Sequence, residues 1–160
     1  MSYILTNDLA GTDHIAFKKR FDDYFSYLDS VKEKLPQEVF EFAKASWHYD
    51  FSDHRCPKDA WVEYLNITEL SSGERRQNRE IEIRVRLLGA YQNGYLDLIY
   101  KGVKSYALSS SSVYHGDWYR DEIRLSENDL ILHEVEFIGG NCWKIVCENI
   151  KSEWIPFDDN

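Results

Sequence analysis

Cysteine is scarce in this chain, and the three that occur do not form a framework. Cys142 and Cys147 lie five apart in one predicted strand, so they point to opposite faces and cannot bridge each other, and Cys56 is remote from both. An odd count with no even pattern points to a reducing compartment. Residues 1–10 hold no basic stretch followed by a long apolar one, and no run in the chain approaches the length of a membrane span, so the expected location is cytoplasmic. A glycine-rich phosphate loop, a Gly-x-Ser-x-Gly elbow and a Cys-x-x-Cys pair are all missing, as are internal repeats, linkers and low-complexity tracts. Bases are outnumbered: 19 Lys and Arg stand against 28 Asp and Glu, for a formal net charge of −9. Residues 111–160 carry eleven of those acids and only four bases. Such a field opposes nucleic acid and anionic membrane and attracts a basic partner. The simpler reading is an acidic protein kept dispersed by its charge.

What the chain has in quantity is aromatic side chains (11 Tyr, 8 Phe, 5 Trp) and alternating strands. Apolar and charged residues alternate strictly from Ile81 to Leu87, and the pattern recurs over Ile131–Phe137 and Trp143–Glu148. Alternation of this kind belongs to strands with one face on a core and the other in water. Earlier in the chain the period is helical. Thr12 or Asp13 caps a helix running to about Leu35, with Phe17, Phe21, Tyr24, Leu28, Val31 and Leu35 in one stripe. Pro36 ends it and opens a second helix to about Ser46 that buries Val39, Phe42 and Ala43. Strands are expected at about 61–70, 80–88, 95–100, 103–108, 121–125, 130–138 and 142–150. Helices first and strands after give an α+β class: a helical hairpin packed on a curved, mainly antiparallel sheet of six or seven strands. The chain reads as a single domain, residues 1–160, with an extended lead-in (1–11), helices (12–46), a sheet region (59–154) and an acidic tail (155–160).

Two groups of residues are candidates for chemistry. The loop bearing His48, Asp50, Asp53, His54 and Cys56 is the densest set of metal-ligand types, but its spacing matches no standard zinc motif and such residues commonly cap turns. No metal or cofactor is expected. His133 shares a strand face with Ile131, Val135 and Phe137, so it points inward, and Glu134 faces the other way. The simpler reading is a hydrogen-bonded core histidine; the functional one is a general base in a pocket between helices and sheet, with His48 or His133 as its polar group. Arg75, Arg76, Arg79, Arg84 and Arg86 are the one basic concentration; Arg84 and Arg86 share a strand face with Glu80 and Glu82, so cross-strand ion pairing is the simpler reading and an anion site the alternative.

Several segments resemble a family of small bacterial proteins with no assigned activity. They are Asp59-Ala60-Trp61, Gly73-Glu74-Arg75-Arg76, Glu82-Ile83-Arg84, Asp121-Glu122-Ile123-Arg124-Leu125-Ser126 and His133-Glu134-Val135-Glu136-Phe137, followed by Trp143, Ile145, Cys147 and Trp154. The resemblance covers about residues 59–154 and implies a shared fold without bringing site residues. In type, a small, acidic, aromatic-rich α+β chain is also similar to bacterial immunity proteins that neutralise basic toxins. The expected function is therefore a non-catalytic binding protein, a monomer or homodimer, that takes a basic protein partner. Trp118, Tyr119, Trp154 and Phe157 would be the anchors, and Asp117, Asp121, Glu122, Glu153, Asp158 and Asp159 the acidic rim.

Overall fold

The computed structural model describes the backbone of residues 14–158 and the side chains from residue 18 onward. Two helices precede eight strands, and every strand pairing is antiparallel. Helix α1 spans His14–Val31, a 3₁₀ turn covers Lys32–Lys34, and α2 spans Gln37–Lys44. Tyr24, Leu28 and Leu35 of the expected stripe are buried, and Phe21 and Val31 are half-buried; the side chain of Phe17, the lead-in and the proposed caps Thr12 and Asp13 lie outside the described residues. Pro36 precedes α2 with φ −54° and accepts the amides of Val39 and Phe40, which suits a residue that has no amide proton of its own.

The strands are β1 (Trp61–Ser72), β2 (Asn78–Leu88), β3 (Gly94–Val103), β4 (Ser105–Leu108), β5 (Trp118–Leu125), β6 (Ile131–Phe137), β7 (Cys142–Cys147) and β8 (Asn149–Pro156). They form two four-stranded sheets, β1-β2-β3-β8 and β4-β7-β6-β5, where the sequence suggested one sheet of six or seven strands. The division falls near the expected gap between strands 95–100 and 103–108 and within the expected strand 142–150. Gly102 takes φ +60°, and the Glu148 amide is shared between the carbonyls of Lys101 and Gly102, so the ladder from β3 with β8 turns there into that of β4 with β7. A Cβ on residue 102 would lie 2.6 Å from the Glu148 carboxylate, so only glycine fits the bend. The last expected strand is two strands, and β8 takes in residues 155 and 156, which the sequence had assigned to the tail.

One apolar cluster joins both sheets and the helices, with Trp118, Trp143, Phe137, Tyr100 and Leu98 at its centre. The alternation read from the sequence holds: Ile83, Val85 and Leu87 are buried, as are Ile131, His133, Val135 and Phe137. On the other face of the first sheet, Arg86 pairs with Asp97 directly across from it at 2.8 Å, and Arg84 with Glu82 at 2.7 Å.

The free edge of β5 determines where the site lies. Only β6 pairs with β5, so its opposite edge presents backbone groups that need partners. At its start the Asp59 amide donates to the Trp118 carbonyl, and the Trp118 amide to Ala60. Beyond that, three tyrosines replace a neighbouring strand. The Tyr49 hydroxyl donates to the Asp121 carbonyl; the Tyr24 hydroxyl donates to the Ile123 carbonyl and accepts the Ile123 amide; the Tyr27 hydroxyl accepts the Leu125 amide. Helix α1 and the loop after α2 are thereby fixed against β5.

Candidate functional site

Docking along that edge encloses a chain of polar side chains. His48 Nδ1 lies 2.8 Å from the Phe42 carbonyl, and His48 Nε2 lies 2.8 Å from Asp121 Oδ2. The same carboxylate oxygen lies 2.9 Å from His133 Nε2, and His133 Nδ1 lies 2.7 Å from the Tyr100 hydroxyl. Trp118 Nε1 donates to Asp121 Oδ1 at 3.2 Å. No member is more than 2% exposed.

The partners fix the protons. Burial alone would raise the Asp121 carboxyl, but the charge of His48 and the hydrogen bonds from His133 and His48 outweigh it and hold the group well below the usual carboxylate range. Asp121 is therefore an acceptor only. Both His48 nitrogens then face oxygen acceptors. Its ring lies between Phe42 (4.4 Å) and Tyr49 (4.2 Å). Burial pushes the Tyr100 hydroxyl well above its usual value, so it keeps its proton and donates to His133 Nδ1. The result is one buried carboxylate held between two imidazoles and the Trp118 indole.

A second buried set lies on the other face of β5. Arg124, 1% exposed, donates from Nη1 to Glu122 at 3.0 Å and from Nη2 to Glu134 at 2.6 Å. These positions correct part of the expected rim. Trp118, Asp121 and Glu122 are core residues, 0%, 2% and 0% exposed, and for Asp121 the loop after α2 supplies the cover through His48 and Tyr49. Asp117 is half-buried and Tyr119 exposed; Glu153, Phe157 and Asp158 are exposed on or just beyond β8. Trp154 is half-buried, its ring over Gly89 and Gly94. Asp159 lies outside the described residues.

The loop expected to gather ligand types disperses them instead. Asp50 caps Ser52, and His54 stacks on Tyr91 at 4.0 Å and bonds Asn93. The Arg55 side chain, bonded to Asp53 at 2.8 and 2.9 Å, holds the Asp53 carboxyl down at about 2. Cys56 donates to the His48 carbonyl. Among the described residues, no three His, Cys, Asp or Glu are grouped to hold a metal, and no helix is long and apolar enough to cross a membrane.

The thiols divide the same way. Burial pushes Cys56 and Cys147 up to about 12, whereas Cys142 is exposed. A maleimide at neutral pH is expected to label Cys142 alone in the folded protein and all three after denaturation. Fast native labelling of Cys56 or Cys147, mapped by peptide mass, would contradict the packing described here.

A cleft of about 140 Å³ reaches the Asp121 network from outside. His48, Asp121 and Trp118 form its floor, and Phe21, Tyr49, Phe51 and Tyr119 its aromatic walls. Arg20, Lys58 and Arg120 also line it. Of the two histidines expected to serve a pocket between helices and sheet, His48 lines this cleft; the rest of the lining was not legible, because its parts come from α1, the loop after α2 and β5, each far from the others along the chain.

No family model, curated protein or solved structure matches this chain, so the reading of its function rests on the geometry above.

Proposed function

We propose that the chain is a non-catalytic binding protein whose partner is a basic protein, as an immunity or inhibitor protein would be. One observation carries this reading: an aromatic and aliphatic row crosses the outer face of the first sheet, one residue per strand. Register places Trp61 opposite Leu88, Leu88 opposite Tyr95, and Tyr95 opposite Ile155. Trp61 is 50% exposed, and Phe157 adds to the row through an edge contact with Tyr95 at 4.8 Å. Beside it runs a polar row of Tyr64, Arg86, Asp97 and Glu153. An apolar row at one end of the sheet, flanked by a polar row, suits a protein-contact surface. The buried titratable groups His48, Asp121 and His133 are, by contrast, bonded to one another. The net charge of −9 favours a basic partner by steering. Glu153, Phe157 and Asp158 of the expected contact set fall at this face, and Trp61, Tyr64 and Tyr95 join them.

The test is parallel capture from native lysate with the unaltered chain and with a Trp61→Ala/Tyr64→Ala variant, each at low and high salt. The expected result is a basic protein held by the unaltered chain, weakened by salt and lost from the variant, while the variant's unfolding midpoint stays close to the original. Identical proteins retained by both would remove the sheet face from consideration.

A further inference from the structure

A second cleft, of about 390 Å³, opens where β1 begins, and its volume falls in the range of ligand pockets. Trp61 and Val62 of β1 line it together with Tyr114, His115, Gly116 and Asp117 of the segment before β5. That segment is fixed along its length. Buried Asn141 accepts the amide and hydroxyl of Ser111 and donates to the His115 carbonyl, and the Ile138 amide donates to the Asp117 carbonyl. At residue 116, where φ is +97°, a Cβ would lie 2.2 Å from the Ile138 carbonyl oxygen, so only glycine fits. The His115 ring stands edge-on to buried Trp143, with centroids 5.4 Å apart. The cleft is thus shaped in advance of any occupant. Its charge has one sign. No lysine or arginine lines it, and its carboxylate, Asp117, is half-buried. Among the described residues the Asp117 side chain has no hydrogen bond or ion pair, whereas Asp121 and Glu122 are bonded inside. Trp61 and Tyr114 are 50% and 67% exposed.

We propose that this cleft receives one arginine side chain of the basic protein partner, the guanidinium on Asp117 and its stem against Trp61 and Tyr114. A carboxylate without a cation of its own, set among aromatic rings, matches a planar cation that forks onto carboxylates and stacks on ring faces. Trp61 belongs both to this lining and to the apolar row on the outer face of the first sheet, so a protein lying along that row passes over the mouth of the cleft. The source of the arginine therefore rests on the protein-binding reading, but the chemistry of the cleft does not, and it is tested without the partner.

NMR titration of the whole chain tests it, followed at the Trp61 indole N–H and the His115 amide, at about pH 8, where a free imidazole is uncharged. The probes are N-acetyl-argininamide, its uncharged isostere N-acetyl-citrullinamide and N-acetyl-lysinamide. The arginine probe is expected to shift both signals with a Kd of about 10 mM or tighter, the lysine probe to bind several-fold more weakly, and the citrulline probe about tenfold more weakly or worse. Asp117→Asn should weaken the arginine probe about tenfold and leave the melting curve unchanged, since the carboxylate has no bond to lose. Tyr114→Ala should weaken it several-fold. Equal affinity for the arginine and citrulline probes, a lysine probe as tight as the arginine one, or Asp117→Asn without effect on binding would each overturn the assignment. The capture from lysate separates this result from the protein-binding reading. If the arginine probe fails while Trp61→Ala/Tyr64→Ala still loses a basic protein, the cleft assignment falls and the contact face stands. If the probe binds as expected while that variant retains the same proteins, the contact face falls and the cleft stands as an arginine site.

Discussion

Replacing Asp121 by alanine is expected to cost about 3–5 kcal/mol of folding free energy, since it leaves the buried donors of His48, His133 and Trp118 without an acceptor. For a chain of this length that is a fall in Tm of about 10 °C or more. Asparagine should be far milder, at about 1–2 kcal/mol, for a specific reason. Its amide can donate to both imidazoles if His48 gives up the Nε2 proton and His133 moves its proton to Nδ1, where the Tyr100 oxygen accepts it. The two variants also separate by pH. Asp121 titrates in the folded state below its unfolded value of about 3.9, so its contribution is fully present above about pH 4 and is lost as pH falls through the folded value. Urea unfolding of the native protein should therefore keep a constant margin over Asp121→Asn from pH 7 to about 4, and the margin should begin to narrow between about pH 4 and 3 without closing. An alanine variant as stable as the asparagine one would mean that the carboxylate is not what holds the two histidines.

The second large effect is expected at Tyr24, where removal of one oxygen atom should destabilise by about 2–3 kcal/mol. Tyr24→Phe keeps the buried ring but strips partners from both the amide and the carbonyl of Ile123. Tyr27→Phe removes one bond at a half-buried position and should cost about 1 kcal/mol. Chemical denaturation ranks the two variants. Hydrogen exchange locates the effect, since the Ile123 amide should lose protection in Tyr24→Phe and keep it in Tyr27→Phe. Equal losses from the two would show that ring packing, and not the hydroxyl, covers the edge.

Residues that interact with neighbours in the chain could be read in advance. The inward placement of His133 followed from Ile131, Val135 and Phe137 on the same strand face, and the buried stripe of α1 followed from its spacing. The fate of β5 did not follow. Asp117, Asp121 and Glu122 look like an acidic surface because nothing near them in sequence marks the strand as covered. The groups that bond its edge are Tyr24 and Tyr27, about a hundred residues earlier, and Tyr49, 72 residues before Asp121. A tyrosine hydroxyl bonding a sheet edge leaves no periodic trace, so Tyr24 was legible only as a core ring. The split of the last expected strand was hidden for a related reason: Trp143–Glu148 alternates smoothly, and the break at Glu148 is set by Gly102 on the neighbouring strand.

The tyrosine bonds to β5 also bear on the order of assembly during synthesis. Ile123 emerges 99 residues after Tyr24, which at ordinary translation rates is about 5–20 s. Through that interval α1 has no strand to dock on, whereas β1, β2 and β3 follow one another and pair as they appear. Three strands of the first sheet can pair beside an undocked N-terminal helix, and α1 gains its bonds to the sheet edge only when β5 is present. The helix made first is among the last elements to be fixed, and until then its apolar stripe is open to whatever binds nascent chains.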